Sequence, residues 1–208
     1  MRLTRPLIGA AALVCLTLAS CIQSDNPISP LDGSQPDAKL YGVWMAKDWT
    51  VKDSDDLNYY CVSKYPKGQD VPEGLMRVVC FGVQNGKVNA DDSPAYVARI
   101  GEVSYLQLIN TSDDGCYQHG KSKVSRYTFL KYRVDGNTCE VSGCDEDFVE
   151  DQIKQKHIQG ESNNLSMWLT DSTENLRKWL VENDAKIFKA PEMVLTRMPM
   201  KSTAAGQR

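Results

Sequence analysis

Histidine is scarce here, with two residues among 208, and the chain has no G-x-S-x-G elbow, no H-E-x-x-H helix motif and no C-x₂-C pair. Those absences remove the usual sequence signatures of α/β-type serine hydrolases, of zinc peptidases and of Cys-paired zinc modules. His119 falls in a loop and His157 at a helix end, neither with a neighbour that nominates it as a base or ligand. An excess of basic charge is also lacking. Lys and Arg number 24 against 27 Asp and Glu, a net charge of −3, which argues against nucleic-acid binding and against electrostatic adhesion to anionic lipid. The acidic cluster Asp145, Glu146, Asp147, Glu150 and Asp151 has neither the alternating ligand spacing nor the glycine of a calcium loop. No catalytic residue, cofactor or metal site is nominated, and an enzyme would need groups distant in sequence to converge in a cleft.

What is present begins at the N-terminus. Arg2 and Arg5 precede an apolar stretch from Leu7 to Leu18, then the small residues Ala19 and Ser20, then Cys21. The stretch is too short for a transmembrane helix of about 20 residues and runs into polar Gln23, Ser24, Asp25 and Asn26. Leu18-Ala19-Ser20-Cys21 closely resembles a bacterial lipoprotein signal with its lipobox. The resemblance implies cleavage before Cys21, acylation of Cys21 and permanent attachment to a membrane. Ile22 and Gln23, in place of an Asp after the acylated Cys, imply the outer membrane, facing the periplasm or the outside. Loss of residues 1–20 leaves 22 basic residues against 27 acids, a mature net charge of −5.

The 188 residues that remain suit one domain with a single core. Residues 21–38 hold the lipidated Cys and a stretch rich in Pro, Ser, Asp and Gly, whose composition predicts a flexible tether. Its r.m.s. span as a coil of 17 residues would be a little over about 20 Å. The globular domain is expected over 39–199 and a loose polar tail over 200–208.

Within the domain, short runs rich in β-branched and aromatic residues predict strands at Tyr41 to Ala46, Leu75 to Val83, Tyr96 to Ile100, Val103 to Ile109, Arg126 to Val134, Thr138 to Val141 and Met167 to Thr170. Asn85-Gly86 and Asp135-Gly136 predict type I′ hairpin turns, which make their strands antiparallel. Leu176, Trp179 and Leu180 recur at i, i+3 and i+4 and predict a helix over Thr173 to Asn183, with Asp171 and Glu174 at capping-box spacing. A shorter helix is predicted over Glu146 to Lys156, and a last strand over Met193 to Met198. The expected fold is mainly β: an antiparallel meander forming a barrel or strongly curved sheet, two short C-terminal helices, and a return strand.

Gly42-x-Trp44 on the first of these strands is similar to the Gly-x-Trp motif of lipocalins and lipocalin-like barrels. That resemblance implies that Trp44 closes one barrel end and is covered by an Arg on the strand after the C-terminal helix, a position Arg197 fits. A guanidinium over an indole face gains about 0.5–2 kcal/mol. The chain departs from the family in having no clear Thr-Asp-Tyr motif and an extra helix.

Cys61, Cys80, Cys116, Cys139 and Cys144 lie beyond Cys21. In an oxidising compartment an odd set of five predicts two bridges and one thiol, with Cys61–Cys80 and Cys116 with Cys139 or Cys144 as the candidate pairs. Gly115-Cys116-Tyr117-Gln118-His119-Gly120-Lys121-Ser122 matches the phosphate-cradling G-x-x-x-x-G-K-[ST] pattern letter for letter. A cradle needs a helix directly after it, whereas Arg126 to Tyr132 reads as strand, so nucleotide binding is not expected.

These observations point to a lipid-anchored envelope protein that binds an apolar small molecule in a lipocalin-like cavity or presents a surface to an envelope protein. Two alternatives remain open: an inhibitor of a hydrolase, working through a rigid Cys61 to Cys80 loop, and a cell-envelope enzyme.

Overall fold

A computed structural model describes residues 22–46, 57–66, 71–84, 87–111, 121–163 and 166–199. Eight of its strands form a closed antiparallel barrel: β2 (Gly42–Ala46), β3 (Leu57–Lys64), β4 (Met76–Gln84), β5 (Lys87–Ile100), β6 (Val103–Thr111), β7 (Val124–Asp135), β8 (Thr138–Ser142) and β11 (Met193–Arg197). Each pairs with the next in this order, and β11 closes the ring by pairing with both β8 and β2. Closure leaves these strands no continuous bare edge, which is what makes a small barrel a stable end point for a meander.

Two-residue turns at Gly101-Glu102 and Gly136-Asn137 join β5 to β6 and β7 to β8 at one end. At the second of these only Gly136 takes a positive φ, 57°, so the turn has the type II′ rather than the expected type I′ sign pattern. The Asn85-Gly86 turn lies outside the described residues, although the strands flanking it pair in hairpin register up to Gln84 and Lys87.

The barrel is not bare on its outside. Helices α1 (Glu146–Lys154) and α2 (Thr173–Ile187), with the short strands β1 (Ile22–Ser24), β9 (Gly160–Ser162) and β10 (Met167–Leu169), form a second layer over β5, β6 and β7. The predicted α2 stripe, Leu176, Trp179 and Leu180, is buried there against Ala98, Ile100, Tyr105 and Phe129. Its N-cap is Ser172, which accepts from Asn175 N at 3.3 Å. Asp171 does not cap it because its carboxylate is spent elsewhere, accepting from Gln159 N and from Asn175 Nδ2, each at 2.8 Å. α1 is capped by Asp145, which accepts from Phe148 N at 2.7 Å.

The stretch after Cys21 is not a free tether. β1 pairs in parallel with β10, and Ser24 bridges to Tyr127 of β7. Ile22 and Ile28 are fully buried in the outer layer, Ile28 N donates to Gln107 Oε1 at 3.2 Å, and Tyr96 Oη donates to Ser29 O at 2.6 Å. The chain then passes Gly74 so closely that a Cβ there would strike Ser34 Oγ at 1.9 Å. Composition misled because it counts apolar residues without their positions: Ile22, Ile28 and Leu31 are few, but each reaches a core cluster. Their burial, with the hydrogen bonds around them, offsets the ordering entropy of the polar residues between.

Candidate functional site: the barrel interior

Alternation along each strand decides what enters the barrel. Trp44, Tyr60 and Val62, Val78 and Cys80, Leu106 and Leu108, Leu130 and Tyr132, Cys139 and Val141, and Leu195 all point inward, from seven of the eight strands. Around Trp44 the filling is dense. Trp44 is 1% exposed, Met76 0% and Leu130 2%.

Gly42, Trp44 and Arg197 are brought together at this end. Arg197 lies opposite Trp44 across the β2–β11 pair, with its Cζ 4.1 Å from the indole centroid. Its Nη1 and Nη2 donate to the carbonyls of Tyr41 and Lys39, so the same guanidinium that covers the ring also pins the turn in front of it. Trp44 Nε1 donates to Leu40 O at 2.7 Å, and Leu40 is buried in the interior cluster. Glycine at 42 is required twice over. Its φ is +133°, a region that side-chain-bearing residues rarely adopt, and a Cβ would stand 3.0 Å from Arg197 Nη1. A single helical turn at Ala38–Leu40, with Asp37 accepting from Tyr132 Oη at 3.0 Å, completes the plug. Burial and the Asp37 charge raise the Tyr132 phenol well above its ordinary value, so it stays a neutral donor.

Beneath Trp44, which with Leu40 forms part of its wall, the interior opens into a cavity of about 250 Å³. On β6 the exposure pattern is the reverse of an isolated barrel. Outward-facing Tyr105, Gln107 and Ile109 are buried under the second layer, whereas inward-facing Leu106 and Leu108 are only half-buried. Val78 across the barrel is likewise half-buried. The rim is polar: Gln23, Asp91, Ser93, Asn110 and Thr128 line it, and Asn110 Nδ2 donates to Thr128 Oγ1 at 3.1 Å. Its opening has a cause in the ladder. The β5–β6 register ends at Ala95 and Leu108, beyond which β5 continues with β4 alone, and Pro94, which has no N–H, stands at the parting.

Among the described residues the expected bridges do not form: Cys61, Cys80, Cys139 and Cys144 are not joined in disulfides. For Cys61 and Cys80 the register gives the reason. Cys61 pairs with Val79 and Cys80 with Tyr60, so the two side chains leave opposite faces of the sheet. Cys80 and Cys139 point into the cavity, and Cys144 belongs to the outer layer. Burial pushes the Cys139 thiol up to about 12, which keeps it protonated and unreactive at neutral pH. Cys116, Cys21 and His119 lie outside the described residues, as do residues 115–120 of the phosphate-cradle pattern; the next element along the chain is strand β7, from Val124, and not a helix. His157 is exposed at the end of α1. Among the described residues no cluster of His, Cys, Asp or Glu could hold a metal ion, and no helix is long and apolar enough to cross a membrane.

Sequence reading reached the plug and expected a lipocalin-like cavity, but did not assign the residues that line it. The lining comes as one to three residues from each strand, and two of the five rim residues, Asp91 and Ser93, lie on a polar part of β5 that carries no strand signal.

A closed eight-stranded antiparallel barrel, plugged at one end and holding an apolar cavity with a polar rim at the other, is the class of protein these features define. Nothing narrower comes from comparison: no protein-family model, no curated protein and no solved structure matches the chain.

Proposed function

We propose that this chain is a lipid-anchored protein of the bacterial outer membrane whose barrel binds an apolar or amphiphilic small molecule, in the manner of lipocalin-like carriers. The observation that carries the binding reading is the partial exposure of Leu106, Leu108 and Val78 on the interior face of a closed barrel. A barrel serving only as a scaffold gains stability by filling that space, since each unfilled volume forfeits dispersion contacts. Apolar walls with a few polar groups at the mouth are the usual form of a small-ligand site, the walls supplying affinity and the rim orientation. Asp91, with Asn110, Thr128 and Gln23, would face the polar head of a ligand whose tail lies against the leucines. The anchor reading rests on the residues around Cys21.

Solvent extraction of protein purified from a bacterial membrane, followed by mass spectrometry, should recover a stoichiometric amphiphile. The extracted protein should take up an apolar fluorophore that Leu106→Trp excludes. A protein that carries nothing and binds the fluorophore equally well with and without Leu106→Trp would remove the proposal. The inhibitor alternative loses one candidate feature, because the register sets Cys61 and Cys80 on opposite faces and no bridge between them can stiffen the loop they flank.

A further inference from the structure

We infer that the amphiphile taken by this cavity carries a positively charged head, a primary ammonium on an alkyl chain, which Asp91 holds at the mouth. The inference rests on the reading of the barrel interior as a ligand site and adds the sign of the ligand's charge.

Charge on the cavity wall is one-sided. Among the described residues that line it, Asp91 alone is of the Asp, Glu, Lys, Arg or His type. Alternation aims it inward: its register partner Cys80 and the next residue on its face, Ser93, line the same cavity. Its Oδ1 accepts from Asp92 N at 2.9 Å, and among the described residues no basic side chain pairs with it.

Neighbouring carboxylates are treated differently. Asp92 faces outward and is gripped by Arg77, whose Nε donates to its two oxygens at 2.9 and 2.8 Å. Asp25, close in sequence to the rim residue Gln23, pairs with Arg126 at 3.3 Å. Arg126 is the basic residue set in register with rim residue Asn110, and it is fully engaged: it also donates to Gln23 Oε1 at 3.4 Å and stacks 4.6 Å from the Trp168 centroid. The cation beside the rim is therefore neutralised by a carboxylate of its own, whereas the carboxylate on the cavity wall is not.

Asp91 is half-buried beside the β5–β6 parting, where water solvates its carboxylate. A ligand whose tail lies against Leu106 and Leu108 brings its head to this rim and displaces part of that water. A neutral head would leave the carboxylate desolvated and unpaired, and an anionic head would add repulsion between like charges. A cationic head supplies the missing counter-charge. The polar groups around Asp91 suit the ammonium form. Asn110 gives its Nδ2 to Thr128 Oγ1 at 3.1 Å, which leaves its Oδ1 as an acceptor, and the Ser93 hydroxyl can accept as well. A carboxylate, an amide oxygen and a hydroxyl answer the three N–H donors of a primary ammonium.

The test is displacement of the apolar fluorophore from the full chain held in phosphatidylcholine nanodiscs. Three probes share one tail and differ in head charge: dodecylamine, dodecanol and dodecanesulfonate. Dodecylamine should displace the fluorophore at about a tenfold lower concentration than dodecanol, which corresponds to about 1.4 kcal/mol, and dodecanesulfonate should need more than either. Asp91→Asn should bring the amine to within about twofold of dodecanol, and Asp91→Lys should put the sulfonate ahead of the amine. Asp92→Asn removes the same charge from the outer face and should leave the amine preference intact, which separates a contact at the mouth from the general acidity of the chain. Because each variant is read as a ratio between probes, partition of the probes into the disc cancels. Equal displacement by all three probes, or an amine preference that survives Asp91→Asn, overturns the charge assignment and leaves the ligand site standing. A fluorophore that does not bind, or that no probe displaces, overturns the ligand-site reading and this inference with it.

Discussion

The two faces of β6 sit in different solvents. One face meets α1, α2 and the N-terminal strap and is packed shut; the other meets the barrel cavity and is partly wet. In the outer layer Leu176, Leu180 and Ile187 are 0% exposed, Tyr105 Oη donates to Asp184 Oδ1 at 2.7 Å and Lys131 pairs with the same carboxylate, although the buried Nε2 of Gln107 finds no partner among the described residues. That pairing, with burial as the larger cause, raises the Tyr105 phenol far above its ordinary value. The interior has comparable side chains and leaves part of their surface open. The difference teaches that a second buried core outside the barrel supplements the one around Trp44, while part of the inside stays open for a ligand.

That contrast is exposed to measurement. Leu180→Ala should cost about 2–5 kcal/mol, because it removes fully buried methyl groups and leaves a cavity in a layer that has none to spare. Leu108→Ala, already beside a void, should cost about 1 kcal/mol or less. Urea unfolding of the two variants checks the ratio, and equal losses would break the comparison. At the plug, Gly42→Ala should lose about 1–3 kcal/mol through its positive φ and the displacement of Arg197. Arg197→Lys should lose about 1–2 kcal/mol, since an ammonium cannot both cover the ring and reach two carbonyls. Both should leave fluorophore affinity nearly unchanged if plug and cavity are separate devices. Leu106→Trp should alter stability by less than about 1 kcal/mol, because the new ring has empty space to enter, while abolishing fluorophore binding.

The smallest effect lies in the outer layer's ion pairs. Lys189 and, secondarily, the Phe148 N–H hold the Asp145 carboxyl below its usual value of 3.8. A carboxylate with a lowered folded pKa stabilises the fold above that usual value and loses the contribution as pH falls through the lowered one. Asp145→Asn should therefore flatten the acid limb of the stability profile below about pH 4 and cost only tenths of a kcal/mol above it. Parallel thermal melts across that range would show it.

Legibility along the chain divides in the same way. The meander, the α2 stripe and the last strand were legible because each is coded by a local run of residues. Gly42, Trp44 and Arg197 were legible as a local tripeptide and one charge. β3 was not, because Asn58, Ser63 and Lys64 dilute Tyr59, Tyr60 and Val62, nor was the first half of β5, whose Asn89, Asp91, Asp92 and Pro94 resemble a loop. On β6 both faces are apolar, so alternation could not say which one was inside. The Cys61–Cys80 pairing failed on a register offset of one residue, a quantity set by neighbouring strands and invisible along the chain.

The position of β11 has a consequence for how the molecule comes into being. Its partners are β8 and β2, and Arg197 pairs with Trp44 across about three-quarters of the sequence. Until residues 193–197 are available, β2 and β8 are bare edges and the Trp44 plug has no cover. Contacts of such long sequence separation are slow to form. A chain threaded from its N-terminus through a narrow export channel would therefore stay open and compliant for nearly its whole passage, and the barrel would shut only as the last strand arrives.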